Sequence, residues 1–155
     1  MKIKDVMVRD TTSVLPDCLL EEVIQIMAIQ RINDIPVVDE EQRIVGFISY
    51  HDIIKSLLPN YLGIINNNSF ITEFTQLSKK LKEYAHHKVE EFMKKNIITI
   101  NEEDNEVMAA DLLIRSKIHH LPVVRNGHLV GIVTMRDLLK AMVEKEENIE
   151  QEEKS

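Results

Sequence analysis

The chain has no Trp, three Tyr, four Phe and a single cysteine, Cys18, among its 155 residues. One cysteine excludes an internal disulfide and fits a reducing compartment. The lack of Trp removes an indole platform on which a flat heterocycle could stack. No run approaches the roughly 18 consecutive apolar residues of a membrane span, and the charged opening MKIKDVMVRD lacks the apolar stretch of a secretory signal. The expectation is a cytoplasmic protein with no membrane segment. Positive charge is also scarce: 19 Lys and Arg stand against 26 Asp and Glu, a net charge of −7. With no basic recognition helix, that balance argues against a nucleic-acid partner. The four glycines form neither G-x-x-x-x-G-K-[ST] nor G-x-G-x-x-G. A nucleophile beside a base, a paired acid and base, and a spaced metal cage are all missing, so the chain is not expected to be an enzyme.

What is present is a repeat. INDIPVVDEEQRIVGFISYHD (residues 32 to 52) returns as IHHLPVVRNGHLVGIVTMRD (residues 118 to 137). Pro36 and Pro122 lie 86 positions apart and Gly46 and Gly131 lie 85 apart, so the turn between them loses one residue. In each copy a β-branched run meets a polar turn and then a second apolar run, which predicts a hairpin, most plainly at Arg125-Asn126-Gly127. Ser49-x-x-Asp52 and Thr134-x-x-Asp137 follow, each opening an apolar helix: Ile53, Ile54, Leu57 and Leu58 match Leu138, Leu139, Met142 and Val143. Upstream, Thr12-Ser13-Val14 and Ile98-Thr99-Ile100 read as short strands, with Asp17 and Asp104 placed to cap the helices after them. Leu20, Val23, Ile24, Met27 and Ala28 form one apolar stripe, with Val107, Ala110, Leu113 and Ile114 as its counterpart, both read as core.

These pieces, in order and twice over, resemble the paired cystathionine-β-synthase (CBS) domains, whose repeat reads roughly V-x-x-h-M, h-T-h, an amphipathic helix, h-P-V-V and G-h-h-[ST]-x-x-D. The head of the repeat corresponds to Val6-Met7 in the first copy and Phe92-Met93 in the second. The resemblance implies an α/β (α+β) fold of two β-α-β-β-α CBS repeats packed about a pseudo-twofold axis with an inserted helical linker. The expected division is repeat 1 over residues 1–58, a helical linker over 59–87, repeat 2 over 88–143 and an acidic tail over 144–155. Pro59 ends the first repeat and Asn66-Asn67-Asn68-Ser69 reads as a loop. Phe70, Phe74, Leu77, Leu81 and Tyr84 then recur at steps of four and three, an amphipathic helix that would cap the module's own flank or meet a partner. The tail is expected to be a frayed helix end or disordered.

Ser49-x-x-Asp52 and Thr134-x-x-Asp137 have two readings. Each is close to a capping box, and each also offers helix-start N–H groups to an anion and a carboxylate to the two hydroxyls of a ribose. The family resemblance implies the second: an adenosine-containing ligand such as AMP, ADP, ATP or S-adenosylmethionine, acting as a regulatory signal, with no cofactor required. It implies that Ser49 and Asp52 share a cleft with Ile98, Thr99, Ile100, His119 and His120. Thr134, Arg136 and Asp137 would share the other with Thr12, Ser13, Asn33 and Asp34. Ile98, Ile100, Val14 and Ile48 are candidate walls for adenine. His119 and His120 are either phosphate donors or an exposed pair at a helix exit; His86 and His87 are expected on the surface. The cleft with Asp52 and the two histidines should hold phosphate more tightly, since Asp34 disfavours it in the other. A homodimer and a separately encoded regulated partner are further expectations, and a ligand-free dimerisation or interaction module is the alternative.

Overall fold

In the computed structural model, residues 1–58 and 69–155 are described, with side chains in the third helix from Phe74 onward. The expectations at Pro59 and Asn66 to Asn68, and for the side chain of Phe70, lie outside the described residues. The helices are α1 (Leu20–Gln30), α2 (Tyr50–Leu57), α3 (Ser69–Tyr84), α4 (Glu106–Ser116) and α5 (Met135–Lys154). The strands are β1 (Asp34–Val38), β2 (Ile44–Ser49), β3 (Ile100–Asn101), β4 (His120–Arg125) and β5 (His128–Thr134). The fold is mixed α/β with two small sheets, as the repeat implied.

The chain divides into two compact units whose boundaries do not follow the repeats: residues 12–97 form one and residues 1–11 with 98–155 the other. Each repeat's head therefore packs on the other repeat's sheet. In the first unit β1 and β2 form an antiparallel hairpin, Val14 bridges Val37 in parallel on one side, and Lys94 bridges Phe47 on the other. In the second unit β3 runs parallel to β4, β4 antiparallel to β5, and Val8 bridges Ile132. Both hairpins shift register at one point, Val37/Val38 and Val123/Val124. Their turns differ as the one-residue offset requires. Asn126 and Gly127 take φ of 51° and 81° in the tight turn. The longer first turn is held by the Asp39 carboxylate, which accepts from the Glu41 and Arg43 N–H groups at 2.9 Å each.

Each unit has its own core. The first gathers Val14, Leu20, Val23, Met27, Ile35, Val37, Ile48, Ile53, Leu57 and Val89; α3 lays Leu77, Leu81 and Tyr84 against it. The amphipathic stripe of α3 thus caps its own unit, while Phe74 stays 62% exposed. The second core joins Ile3, Met7, Ile100, Ala109, Leu113, Leu121, Val123, Val133 and Leu138. Burying a side chain of this size stabilises by roughly 1.5–3 kcal/mol, which explains why even six-residue heads are held.

Several expectations need correction. The strand after Ile98 covers only Ile100–Asn101, and Thr12 and Ser13 lie outside any strand, with Val14 forming a lone bridge. Asp17 does not cap α1: Leu19 is the N-cap residue, and its N–H donates to the Glu22 carboxylate at 3.2 Å. Asp104 instead accepts from the Asn101 N–H at 3.0 Å, and Asn105 caps α4 by accepting from Met108 N–H at 3.0 Å. In α4, Ala109 and Leu113 are buried while Val107 and Ile114 are each 70% exposed. In α1, Ala28 is exposed as well. In the acidic tail α5 continues to Lys154, with every residue from Met142 exposed.

Candidate functional site

The two capping boxes sit in equivalent places, one per unit, where a strand ends and a helix begins. β2 delivers Ser49, and its Oγ accepts from the Asp52 N–H at 3.1 Å while donating to Asp52 Oδ2 at 2.8 Å. β5 delivers Thr134 in the same way: Oγ1 accepts from the Asp137 N–H at 3.3 Å, and Asp137 Oδ2 accepts from the Thr134 hydroxyl at 2.8 Å and its N–H at 2.9 Å. The capping reading is therefore realised. It engages Oδ2 of each carboxylate and leaves Oδ1 outside the cap. Asp52 is only 11% exposed, and its Oδ1 lies 3.5 Å from the ammonium of Lys94.

Around Asp52, the ladder puts Asp34 opposite Ser49, and the Asn33 carbonyl accepts from the Tyr50 N–H at 3.0 Å. Thr12 donates through its hydroxyl to the Gln30 side chain. Ser13 lines a shallow cavity of 370 Å³ with Val14, Leu15, Val38, Asp39, Glu40 and Gln42. Around Asp137, His120 stands opposite Thr134 in the ladder and His119 is exposed one residue earlier. Arg136 is exposed on the first turn of α5. Ile98 is 37% exposed and Thr99 half-buried. Ile100 turns into the core, as do Val14 and Ile48. Within a unit, then, the pre-proline residues adjoin the capping box of their own repeat.

Sequence reasoning passed over Lys94. Its signal was available, because Lys94 falls 86 positions after Val8 and so puts a cation where the first repeat has an apolar residue. Also unforeseen was the pairing of Glu102, 5% exposed, with Arg125, whose Nη2 donates to it at 2.9 Å and holds its carboxyl below the usual range. Among the described residues no group of three or more His, Cys, Asp or Glu is placed to hold a metal ion. No described helix is long and apolar enough to cross a membrane.

Two units of like design, each closing a hairpin with a Ser/Thr-x-x-Asp cap, define a tandem CBS arrangement. The CBS domain family matches residues 3–59 and again 89–144, and the chain belongs to that family. It is 30% identical over 155 residues to the uncharacterised protein MJ1426 of Methanocaldococcus jannaschii, covering 92% of each chain. It is 29% identical over 140 residues to the inosine-5'-monophosphate dehydrogenase of the same organism, a match covering 90% of this chain and 23% of that enzyme. Among solved structures, the CBS-pair protein CBSX2 from Arabidopsis thaliana superposes with a TM-score of 0.76 at 22% identity, covering 94% of this chain and 96% of that one. A second CBSX2 structure, in complex with AMP, gives a TM-score of 0.71 over 94% and 98% of the two chains.

Proposed function

We propose that this CBS pair is a regulatory module that binds an adenosine-containing nucleotide, with the Asp52 and Asp137 carboxylates accepting ribose hydroxyls. The observation that carries the reading is the way each carboxylate is held: Oδ2 is fixed by the helix cap while Oδ1 takes no part in it. A carboxylate held this way is oriented before any ligand arrives, which lowers the cost of binding. CBSX2, which shares the fold, was crystallised with AMP. Thr12, Ser13, Asn33, Ile98, Thr99, His119, His120 and Arg136 are the further candidate contacts. The function is regulatory rather than catalytic, since the ligand acts by favouring the state that binds it, by no more than its preference for that state.

The test is thermal unfolding with AMP, ATP and S-adenosylmethionine for the wild type, Asp52→Ala and Asp137→Ala, each variant compared with its own ligand-free midpoint. A ligand at 100 times its dissociation constant adds about 2.7 kcal/mol. A shift reduced in either variant supports the reading. No shift with any ligand in folded protein would overturn it in favour of an interaction module.

That second reading has one observation on its side. On α4 and α5, Val107, Ile114, Leu139 and Val143 are exposed by 56% or more, whereas Leu58, the counterpart of Val143 in the first repeat, is buried. An apolar face of this kind suits a homodimer or a regulated partner. Ile114→Glu with Val143→Glu should then lower the mass measured by light scattering, and an unchanged mass would remove this support.

A further inference from the structure

The two capping boxes are built alike, but the residue that the head of the other repeat brings beside each of them differs. Lys94 is pinned to β2 by reciprocal backbone bonds with Phe47, Phe47 N–H to Lys94 O at 2.9 Å and Lys94 N–H to Phe47 O at 2.8 Å. Phe47 stands two residues before Ser49. In the second unit Val8 is pinned to Ile132 by the same pair of bonds, at 2.8 and 2.9 Å, and Ile132 stands two residues before Thr134. Lys94 and Val8 therefore occupy equivalent stations beside Asp52 and Asp137. One station carries an ammonium and the other an isopropyl group.

The ammonium is only loosely committed. Its 3.5 Å separation from Asp52 Oδ1 is longer than a hydrogen bond, and the side chain is 68% exposed. An ion pair of this kind contributes little, and the flexible four-carbon stem lets the charge move to a better anion. Ribose hydroxyls donating to Asp52 Oδ1 would displace Lys94. A neutral nucleoside offers the displaced ammonium nothing in return, whereas a nucleotide offers its phosphate.

Building on the nucleotide reading above, we propose that Lys94 is a specificity-determining residue: it makes the Asp52 site select phosphorylated adenosine over adenosine, a part that Val8 cannot play at the Asp137 site. The ligand class of the Asp52 site is thus a nucleotide in which ribose and phosphate are both present. Free phosphate does not suffice, because it makes no use of the Asp52 carboxylate that holds the ribose.

The experiment is calorimetric titration of the full chain carrying Asp137→Ala, so that the Asp52 site is read alone, with adenosine, AMP and inorganic phosphate. Asp137→Asn serves if the alanine variant does not fold. Adding Lys94→Gln should weaken AMP about tenfold and leave adenosine within about twofold, and Lys94→Arg should restore most of the loss. In the converse Asp52→Ala background, Val8→Lys should tighten AMP several-fold without tightening adenosine. Equal weakening of AMP and adenosine by Lys94→Gln, an unchanged AMP affinity, or inorganic phosphate binding as tightly as AMP would each overturn the assignment. Failure of both adenosine and AMP to bind the chain without the Lys94 substitution would instead sink the nucleotide reading itself, and this inference with it.

Discussion

Gly131 lies directly beneath Met7: a Cβ built on that glycine would stand 2.7 Å from the Met7 sulfur and 2.9 Å from the Val8 carbonyl oxygen. Gly46 has the same relation to Met93, whose thioether fills the space a Cβ would need. The glycine of each repeat is thus the seat for the head of the other repeat, which docks a methionine on the sheet and continues into Val8 or Lys94. Neither glycine has a positive φ, so close approach rather than backbone freedom requires them.

Gly131→Ala is therefore expected to cost more stability than Gly46→Ala. At Gly46 the obstructing atoms all belong to the unbranched Met93 side chain, which can swing aside. At Gly131 one obstruction is a backbone oxygen already bonded to the sheet, and it has no such freedom. Overpacking of this kind costs about 1–3 kcal/mol. Urea denaturation of the two variants checks the order; a larger loss at Gly46 would contradict it.

The sequence made the hairpins and helix starts legible because their signals are local: Pro-Val-Val, Asn126-Gly127, and a Ser or Thr three residues before Asp. It did not disclose the exchange of heads, since residues 3–8 and 89–94 carry similar apolar pairs and either sheet could accept either one. It missed the buried face of α4 because the exposed Val107 and Ile114 are as apolar as the buried Ala109 and Leu113, and hydrophobicity alone does not separate the two faces. In the candidate site the Ser/Thr and Asp positions were plain. Lys94 was hidden because it belongs to no motif and acquires meaning only through Val8, its counterpart in the other repeat.

Acid should weaken the second unit through Glu103 and Glu102. Hydrogen bonds from Lys2 and Lys4, with their charges, bring the Glu103 carboxyl down to about 2, and Arg125 lowers Glu102. A depressed folded pKa contributes stability that is present above the ordinary value near 4.5 and is lost as pH falls through the folded value. The expected loss runs from about pH 4.5 towards 2, with faster hydrogen exchange over residues 2–8. Glu103→Gln should flatten the slope, and added salt should do so in part because Glu103 is half-exposed. An unchanged slope in Glu103→Gln would show that other groups control the acid transition.

Cys18 should be a sluggish nucleophile. Its thiol is half-buried and hydrogen-bonded to Glu22 at 3.3 Å; burial first, then Glu22, push its pKa up to about 11. Since the thiolate is the reactive form, alkylation by iodoacetamide at pH 8 is expected to run about 100-fold slower than for a thiol of ordinary pKa. Unfolding in urea should abolish the difference, and Glu22→Gln should remove part of it. Rapid labelling of the native protein would contradict this environment.

Both long helices that precede a hairpin end on a left-handed residue with a side chain, Arg31 at φ 55° and Lys117 at φ 55°. A Cβ is unfavourable there, and glycine is the usual occupant of such a helix end. Lys117 is exposed. Its replacement should therefore lose no packing. Lys117→Gly is expected to raise stability by about 0.5–1 kcal/mol, the relief of strain exceeding the extra entropy glycine gives the unfolded chain. Lys117→Ala keeps the Cβ and should give no gain, so the pair separates backbone strain from loss of charge. For a chain of this length the gain corresponds to about 1–4 °C in the unfolding midpoint. Equal midpoints for the glycine and alanine variants would mean that the left-handed turn at Lys117 carries no strain, and the same comparison at Arg31 would then be expected to fail as well.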